Sequence, residues 1–137
     1  MIDPVEAVVS YLRLHLGPYC GNQVVAGRSR YGESWPLGSV GVTVMPASGA
    51  AARLDGVRSP NVVVQTWGPT ERDTYQMNER LVEVLRDTRR MMVRLADGRI
   101  ALIHYVARLT EPALLWDDQV RAWTIMQACR TLVGGPV

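Results

Sequence analysis

The chain opens with apolar residues spaced three and four apart, which is the period of one face of a helix. Asp3 can cap this segment, and Pro4 fits the first helical turn because its missing N–H would have no partner there. Gly17-Pro18 favours an end, since glycine suits the left-handed position after a helix and proline cannot continue one. We therefore predict a first helix over residues 4–16. Its apolar stripe consists of Val5, Val8, Val9, Leu12 and Leu16.

A second helical pattern begins at Thr70, where Thr70-Glu71-Arg72-Asp73 has the form of a capping box, and extends to Asp87. Its charged residues lie mostly away from one partly apolar stripe. We expect that stripe to cover a sheet and the other face to meet solvent or a neighbour. The stripe consists of Tyr75, Asn78, Leu81, Val82 and Leu85.

Elsewhere the apolar period changes to two, which is typical of strands. Residues 39–45 alternate with valines on one face, and residues 61–67 form a β-branched run. Two further runs, 91–95 and 100–106, flank Asp97-Gly98, and an Asp-Gly pair between apolar runs is a strong hairpin signal. These two strands should be antiparallel neighbours.

The last predicted strand, over residues 119–132, has apolar side chains on both faces. Such a strand lies centrally in a sheet, or packs one face on the core and the other against another subunit. One face carries Arg121, Trp123, Ile125, Gln127 and Cys129, and the other carries Val120, Ala122, Thr124, Met126 and Ala128.

The order helix, strand, strand, helix, hairpin, strand predicts an α+β fold in which two helices pack on a mainly antiparallel sheet. Two long loops, over residues 27–38 and 46–58, separate the first strands and exceed the roughly 4–6 residues usual for connections in compact domains. Loops of this length are usually functional or disordered. A chain of 137 residues suits one domain, so we predict a single domain over residues 1–137.

The composition argues against several classes of protein. The chain is 47% hydrophobic and 20% charged, and no apolar run approaches the roughly 18 residues of a membrane-spanning helix, so we expect no membrane contact. Its first residues lack the basic and apolar blocks of a secretory signal, which predicts that the protein stays in the cell that makes it. The net charge of +2 is too balanced for non-specific binding to a phosphate backbone.

Few residues offer catalytic or ligand-binding chemistry, and we expect no enzyme activity, cofactor or metal. His15 and His104 fall in different elements without a catalytic motif around them, which favours structural histidines. Cys20 and Cys129 are too few for a disulfide framework and too far apart for a zinc motif, which favours reduced, partly buried thiols. Asp117-Asp118 lacks the spaced oxygen ligands of a calcium loop, so a turn with local hydrogen bonds is the better interpretation.

The two long loops carry most of the candidate partner surface. Arginine, tyrosine and tryptophan are enriched at binding hot spots, and these loops place them in stretches without helical or strand period. We expect such loops to suit binding to an acidic protein surface. For Trp35, packing back onto the core is an equally good interpretation. The candidate interface residues are Arg28, Arg30, Tyr31, Trp35, Arg53, Arg58 and Trp123.

The layout resembles the tail terminator, or tail-completion, proteins of long-tailed phages, which include the lambda-type terminator. The resemblance covers most of the chain, from the starting helix through the loop-rich stretch to the closing strand. Its most similar part is the strand Val62-Val63-Val64-Gln65-Thr66-Trp67, followed by Gly68-Pro69-Thr70 and a helix containing Arg80-Leu81-Val82-Glu83-Val84-Leu85-Arg86-Asp87. Leu115-Trp116-Asp117-Asp118, leading into the last strand, also fits the pattern.

The resemblance implies a structural protein that forms a ring, commonly of six copies. The ring caps the head-proximal end of the tail tube, stops its polymerisation and offers a joint to the head connector. The implied partners are further copies of this chain, the tail tube protein and the head-tail connector or head-completion protein. Nucleic acid enters only as the DNA that passes through the ring. The implied location is the tail or neck of the virion, after assembly in the host cytoplasm.

Two alternatives remain open. A head-tail connector or head-closure subunit would share the size and the ring. A small nucleic-acid-binding α+β module would instead use loop arginines to contact phosphate, and its affinity would fall steeply with salt. The arginines for that role are Arg28, Arg30, Arg53 and Arg58.

Overall fold

A computed structural model of the protein describes residues 2–21, 23–27, 35, 38–46, 52–54, 57–59, 61–86, 88–108 and 111–134. Two helices and a mostly antiparallel sheet account for most of these residues, which confirms the predicted α+β fold. The helices are α1 (Pro4–Cys20) and α2 (Glu71–Arg86). The strands are β1 (Val24–Ala26), β2 (Gly41–Pro46), β3 (Ala52–Leu54), β4 (Val57–Ser59), β5 (Asn61–Gly68), β6 (Arg89–Arg94), β7 (Ile100–Arg108), β8 (Ala113–Asp117) and β9 (Ala122–Gly134).

The long strand β9 lies in the middle of the sheet, which is one of the two arrangements that the apolar character of both its faces predicted. On one side it pairs antiparallel with β5 over residues 123–130, and with β4 at Val133. On the other side it pairs first with β8, over residues 122–126, and then with β7, over residues 129–134. The strands β7 and β8 therefore follow one another along the same side of β9.

The ladder along that side is interrupted between β7 and β8. Arg108 lies opposite Cys129, and Ala113 lies opposite Met126. From Arg108 to Ala113 the chain advances five residues, whereas the facing stretch of β9, from Cys129 to Met126, advances only three. The side of β7 and β8 therefore contains two more residues than the facing part of β9. The surplus separates the register of β8 from that of β7.

Shorter pairings extend the sheet outward. β2 pairs antiparallel with β5, and β1 pairs parallel with β2. β6 and β7 form the antiparallel hairpin predicted around Asp97-Gly98. Its turn needs Gly98, which has a φ of 90°, and Asp97 holds it by accepting a 3.0 Å hydrogen bond from the Arg99 backbone N–H.

Both helices pack on one face of the sheet and share a single apolar core with it. From the sheet, Val42 and Val44 of β2 and Val62 and Val64 of β5 point into this core and are buried. Burying each side chain of this size contributes roughly 1.5–3 kcal/mol, so the valine ladder is a major part of the stability of the fold. From the helices, the core receives Val5, Val8, Leu12 and Leu16 of α1 and Met77, Leu81 and Leu85 of α2.

The predicted end of α1 is wrong by four residues, because the helix continues through Gly17-Pro18 to Cys20. Proline removes the hydrogen bond to the carbonyl of Leu14, but Leu14 lies on the exposed side of the helix, where water can replace that bond. Cys20 continues the buried stripe. Gly21 then ends the helix with a φ of 59° and donates a 2.8 Å hydrogen bond to the Gly17 carbonyl.

The predicted apolar stripe of α2 is partly wrong. Asn78 and Leu81 are buried as expected, but Tyr75 is exposed, and Met77 is buried instead. The face that meets the sheet is therefore turned relative to the predicted stripe. Neither helix is long and apolar enough to cross a membrane, among the residues that the structure describes.

Four strands occur where no strand was predicted. β1 lies just before the first predicted loop, β3 lies inside the second, β4 overlaps the end of the second, and β8 precedes the last predicted strand. Three of the four contain only three residues, which is too short to show a period of two. Their pairing partners, which are distant in sequence, decide their conformation.

A buried polar cluster joins α2 to the two central strands. The Asn78 side-chain oxygen accepts hydrogen bonds from the Thr66 hydroxyl of β5, at 3.2 Å, and from the Gln127 amide of β9, at 3.3 Å. All three residues are buried. Because a buried donor without a partner is costly, this cluster fixes the position of α2 on the sheet.

We predict that Asn78→Ala lowers the free energy of unfolding by about 1–3 kcal/mol, since Thr66 and Gln127 each lose a buried acceptor. Urea denaturation followed by circular dichroism measures the change. Gln76→Ala, at an exposed position of the same helix, is the control and should change the stability by less than about 0.5 kcal/mol. Equal losses in both variants would contradict the proposed function of the cluster.

Candidate interaction surface

The structure places the sequence-predicted interface residues in different environments. Arg28, Arg30 and Tyr31 lie outside the described residues. Arg53 of β3 and Arg58 of β4 lie opposite one another in an antiparallel pair. The candidate interface at these five positions stays a prediction.

Trp35 occupies the core position that the sequence left open as an alternative. Its side chain is only 7% exposed and packs with Trp67 and Ala122. Trp67 alternates with the helix-facing valines of β5, so this second cluster lies on the opposite face of the sheet from the helices. The Trp67 indole N–H donates a 2.9 Å hydrogen bond to the Thr43 hydroxyl. Trp35 thus packs against β5, and its ring is buried within this chain.

Gly41 is required under this cluster. A Cβ at this position would lie 2.5 Å from Cη2 of Trp35 and 2.8 Å from the carbonyl oxygen of Gln23. Real Cβ atoms do not approach other atoms so closely. The absence of a side chain at Gly41 therefore lets Trp35 close on the start of β2.

Trp123, the last of the predicted interface residues, is half-buried at the start of β9. It lies opposite Trp116 of β8, and the two rings make an edge-to-face contact with centroids 5.3 Å apart. The Trp116 indole N–H donates a 2.6 Å hydrogen bond to the Asp118 carboxylate. The two tryptophans therefore stiffen the end of the hairpin.

The chain turns between β8 and β9 at Asp117-Asp118, and local hydrogen bonds hold this turn, as predicted from the sequence. One carboxylate oxygen of Asp117 accepts hydrogen bonds from the backbone N–H groups of Gln119, at 2.9 Å, and Val120, at 3.2 Å. Both carboxylates are thus used in holding the turn. We call β8, this turn and Trp123 the aromatic hairpin.

The outer edge of β8 carries exposed apolar side chains. Among the described residues β8 pairs with β9 alone, so one row of its backbone hydrogen-bonding groups faces outward. Leu115 is 47% exposed and Trp116 is 45% exposed. Natural edge strands are commonly blunted by charge or proline, and neither interrupts residues 113–116. This edge is therefore open to another strand.

The edge of β6 has the opposite character. It pairs with β7 alone among the described residues. Arg89, Arg90 and Arg94 are exposed, and Met92, between them, is 66% exposed. Together with Arg86 of α2, the first two arginines line an open groove of about 470 Å³. We call this strand the basic edge.

The two histidines lie on different elements. His15 is on the exposed side of α1, with its ring 4.5 Å from that of Tyr11. His104 is half-buried on β7 and lines the groove beside the basic edge. Within the described ranges, no group of three or more histidine, cysteine or acidic side chains could hold a metal ion.

Both cysteines are free and buried, as the sequence predicted. Desolvation by burial raises the pKa of the Cys20 thiol and of the Cys129 thiol to about 11 in each case. The Cys20 thiol also donates a 3.5 Å hydrogen bond to the Leu16 carbonyl. Neither thiol forms an appreciable amount of the reactive thiolate at neutral pH.

Neither exposed edge was predicted from the sequence. A signal for β8 was present, because Ala113-Leu114-Leu115-Trp116 is an apolar run that ends at a pair of aspartates, much as an apolar run ends before Asp97. For β6, the flanking arginines were visible, but nothing local shows that a strand lies at the edge of its sheet.

No protein-family model matches the chain, and no curated protein matches it in sequence. Its fold is similar to that of a solved chain described as "Virion of native gene transfer agent (GTA) particle". The TM-score is 0.62, the sequence identity is 16%, and the match covers 94% of this chain and 92% of the other. At this identity the likeness concerns the fold.

We predict that Gly41→Ala lowers the free energy of unfolding by about 1–3 kcal/mol, because the added methyl group overlaps the Trp35 ring and the Gln23 carbonyl. The near-ultraviolet circular dichroism of the tryptophans should weaken as Trp35 is displaced. Gly17→Ala is the matched control, since a Cβ there meets nothing within 4 Å in a helix. It should be neutral or stabilising by up to about 1 kcal/mol. A similar loss of unfolding free energy in both variants would contradict the packing of Trp35 on Gly41.

We also predict that the stability falls as the pH rises from about 9 to about 11. In this window the thiols of the unfolded chain lose their protons while the folded thiols keep them, so the folded state binds more protons. Below the pKa of the thiols in the unfolded chain, the contribution of the two protonated thiols to stability is fully present. Urea denaturation across this range measures the slope. The double variant Cys20→Ala, Cys129→Ala, which keeps every tyrosine and arginine, should show a smaller slope, and an unchanged slope would contradict the prediction.

Proposed function

We propose that the protein is a structural, non-enzymatic subunit of a virion, and specifically the tail terminator of a long-tailed phage. In this role a ring of copies, six in the simplest case, caps the head-proximal end of the tail tube. The ring stops polymerisation of the tube and offers the joint to the head connector.

One observation carries the proposal. The fold likeness to a chain from a gene transfer agent virion extends over nearly the whole length of both chains, so it is not confined to one motif. A match confined to one hairpin or one helix pair would carry little weight, because such motifs recur in unrelated proteins. The order of elements in the sequence, which resembles that of tail terminators, narrows the proposal from virion subunit to terminator.

The surface of the protein also supports this function. A ring requires each copy to present two different surfaces that fit one another around an axis. The aromatic hairpin and the basic edge are two such surfaces, and they differ in charge and in side-chain chemistry. Three large apolar side chains, Met92, Leu115 and Trp116, are exposed on these two surfaces, and a partner strand would cover them.

The proposal defines partners and location. The partners are other copies of the chain, the tail tube protein and the head-tail connector or head-completion protein, and DNA passes through the ring without being bound in a pocket. The protein acts in the neck of the virion, after assembly in the host cytoplasm, and involves no membrane.

We predict that the purified protein binds one end of tail tubes and stops their growth. The measurement is negative-stain electron microscopy of tubes assembled from the tail tube protein of the same phage, with and without this chain. The expected result is a ring-shaped cap at one end and shorter tubes as the concentration of the chain rises. Light scattering should detect a ring-sized species when tubes are present.

The same experiment separates the alternatives. A head-tail connector or head-closure subunit would bind DNA-filled heads and leave the length of free tubes unchanged. A chain that remains monomeric and binds neither tubes nor heads would rule out the proposed function.

A further inference from the structure

We infer that the outer edge of β8 in one copy of this chain pairs with the basic edge, β6, of another copy. The two edges would form a continuous sheet across the contact. This inference rests on the proposed function in one respect, namely that both require the chain to associate with itself. It adds the strands and side chains that make the contact.

The backbone of β8 is prepared for such a pairing. In a strand that pairs on one side only, alternate residues direct their N–H and C=O groups outward. Leu115 and Trp116, on opposite faces of β8, are both about half exposed, so an added strand would be packed from above and below. The edge-to-face contact with Trp123 and the hydrogen bond to Asp118 hold Trp116 in place before any partner arrives.

The order of charges identifies the partner strand. Along β8 and its flanks, Glu111 precedes the apolar residues 114–116, and Asp117-Asp118 follows them. The order along β6 is the reverse in sign, with Arg89-Arg90 before the apolar residues 91–93 and Arg94 after them. Because each strand has like charges at both ends and apolar residues between, the two patterns match in a parallel or an antiparallel alignment.

The arginines of β6 and Glu111 have no other partner in the described part of the chain, while Asp117 and Asp118 accept hydrogen bonds within their own turn. Arg89, Arg90 and Arg94 form no ion pair there, and Glu111 accepts no hydrogen bond. Pairing of β6 with β6 would bring arginine against arginine, and pairing of β8 with β8 would bring carboxylate against carboxylate. Like charges directly opposite are destabilising, so the unlike edges are favoured.

The order of strands leaves room for the added strand. β7 and β8 lie along the same side of β9, and β6 covers β7 only as far as the pair Arg89–Tyr105. β6 is therefore one strand, or roughly 4.8 Å, further out in the sheet than β8. Among the described residues, the position outside β8 that corresponds to β6 outside β7 is vacant, and it has the width of one strand. The two edges are also similar in length, with five residues in β8 and six in β6.

Cysteine cross-linking tests the contact directly. Leu115→Cys and Met92→Cys, placed in two copies that carry tags of different size, should form a mixed disulfide on mild oxidation. The native cysteines are buried and should not compete. Leu14→Cys, on an exposed apolar residue of α1, is the matched control and should cross-link to Met92→Cys at least tenfold less. Equal yields from both pairs would overturn the inference.

Charge reversal gives an independent readout. Arg89→Glu with Arg94→Glu should weaken self-association at least tenfold, as measured by analytical ultracentrifugation. Adding Glu111→Arg in the same chain should restore part of it, because one end of β8 then carries a charge opposite to the glutamate it meets, while Asp117 and Asp118 at the other end are unchanged. Circular dichroism checks that the variants remain folded. Unchanged self-association in the reversed variant would overturn the inference.

The outcomes separate this inference from the proposed function. Rings that cap tubes without the 115–92 cross-link would retain the terminator and overturn the strand pairing. Cross-linked copies that form a closed pair and ignore tubes would retain the pairing and overturn the terminator. If Arg89→Glu with Arg94→Glu instead abolishes salt-sensitive binding of a fluorescent duplex DNA and leaves self-association intact, the arginines serve nucleic acid and the inference is wrong.

Discussion

The hydrogen-bond ladders on both edges of β9 are the constraint on which the rest of the molecule depends. β5 and β4 bind one edge and β7 and β8 bind the other, so every other described strand is attached to β9 directly or through these neighbours. The side chains of β9 also contribute to both faces, with Cys129 in the core under the helices and Ala122 in the cluster around Trp35. A strand that is paired on both edges and packed on both faces leaves no freedom of register. The positions of the helices and of the outer strands follow from it.

Helices and long strands of the fold could be predicted from the sequence because their signals are local. Asp3-Pro4 starts α1, Asp97-Gly98 turns the hairpin, and the apolar character of both faces of the last strand gave its central position as one of two alternatives. The errors arose where distant contacts decide the outcome. α1 continues past Pro18 because Cys20 still meets the core, and β1, β3 and β4 exist because partner strands lie beside them.

Which of the candidate side chains are exposed could not be predicted from the sequence, for a related reason. Residue type identified Trp35 and Trp123 as candidates for binding, but burial separates them: Trp35 closes on Gly41, and Trp123 remains half-buried beside Trp116. The exposed state of Leu115 and Met92 depends on β8 and β6 being edges of the sheet. That property belongs to the topology, and no periodicity in the sequence encodes it.

The two surplus residues between β7 and β8 have a consequence for how this chain can change over time. The Asp117 turn and the facing tryptophans set the alignment of β8, while the Asp97 turn sets that of β7. Each strand is aligned by its own turn, so a gain or loss of one amino acid between the end of β7 and the start of β8 leaves the side chains of both strands on their original faces. Related chains can therefore differ in length at this stretch and still present the same two edges.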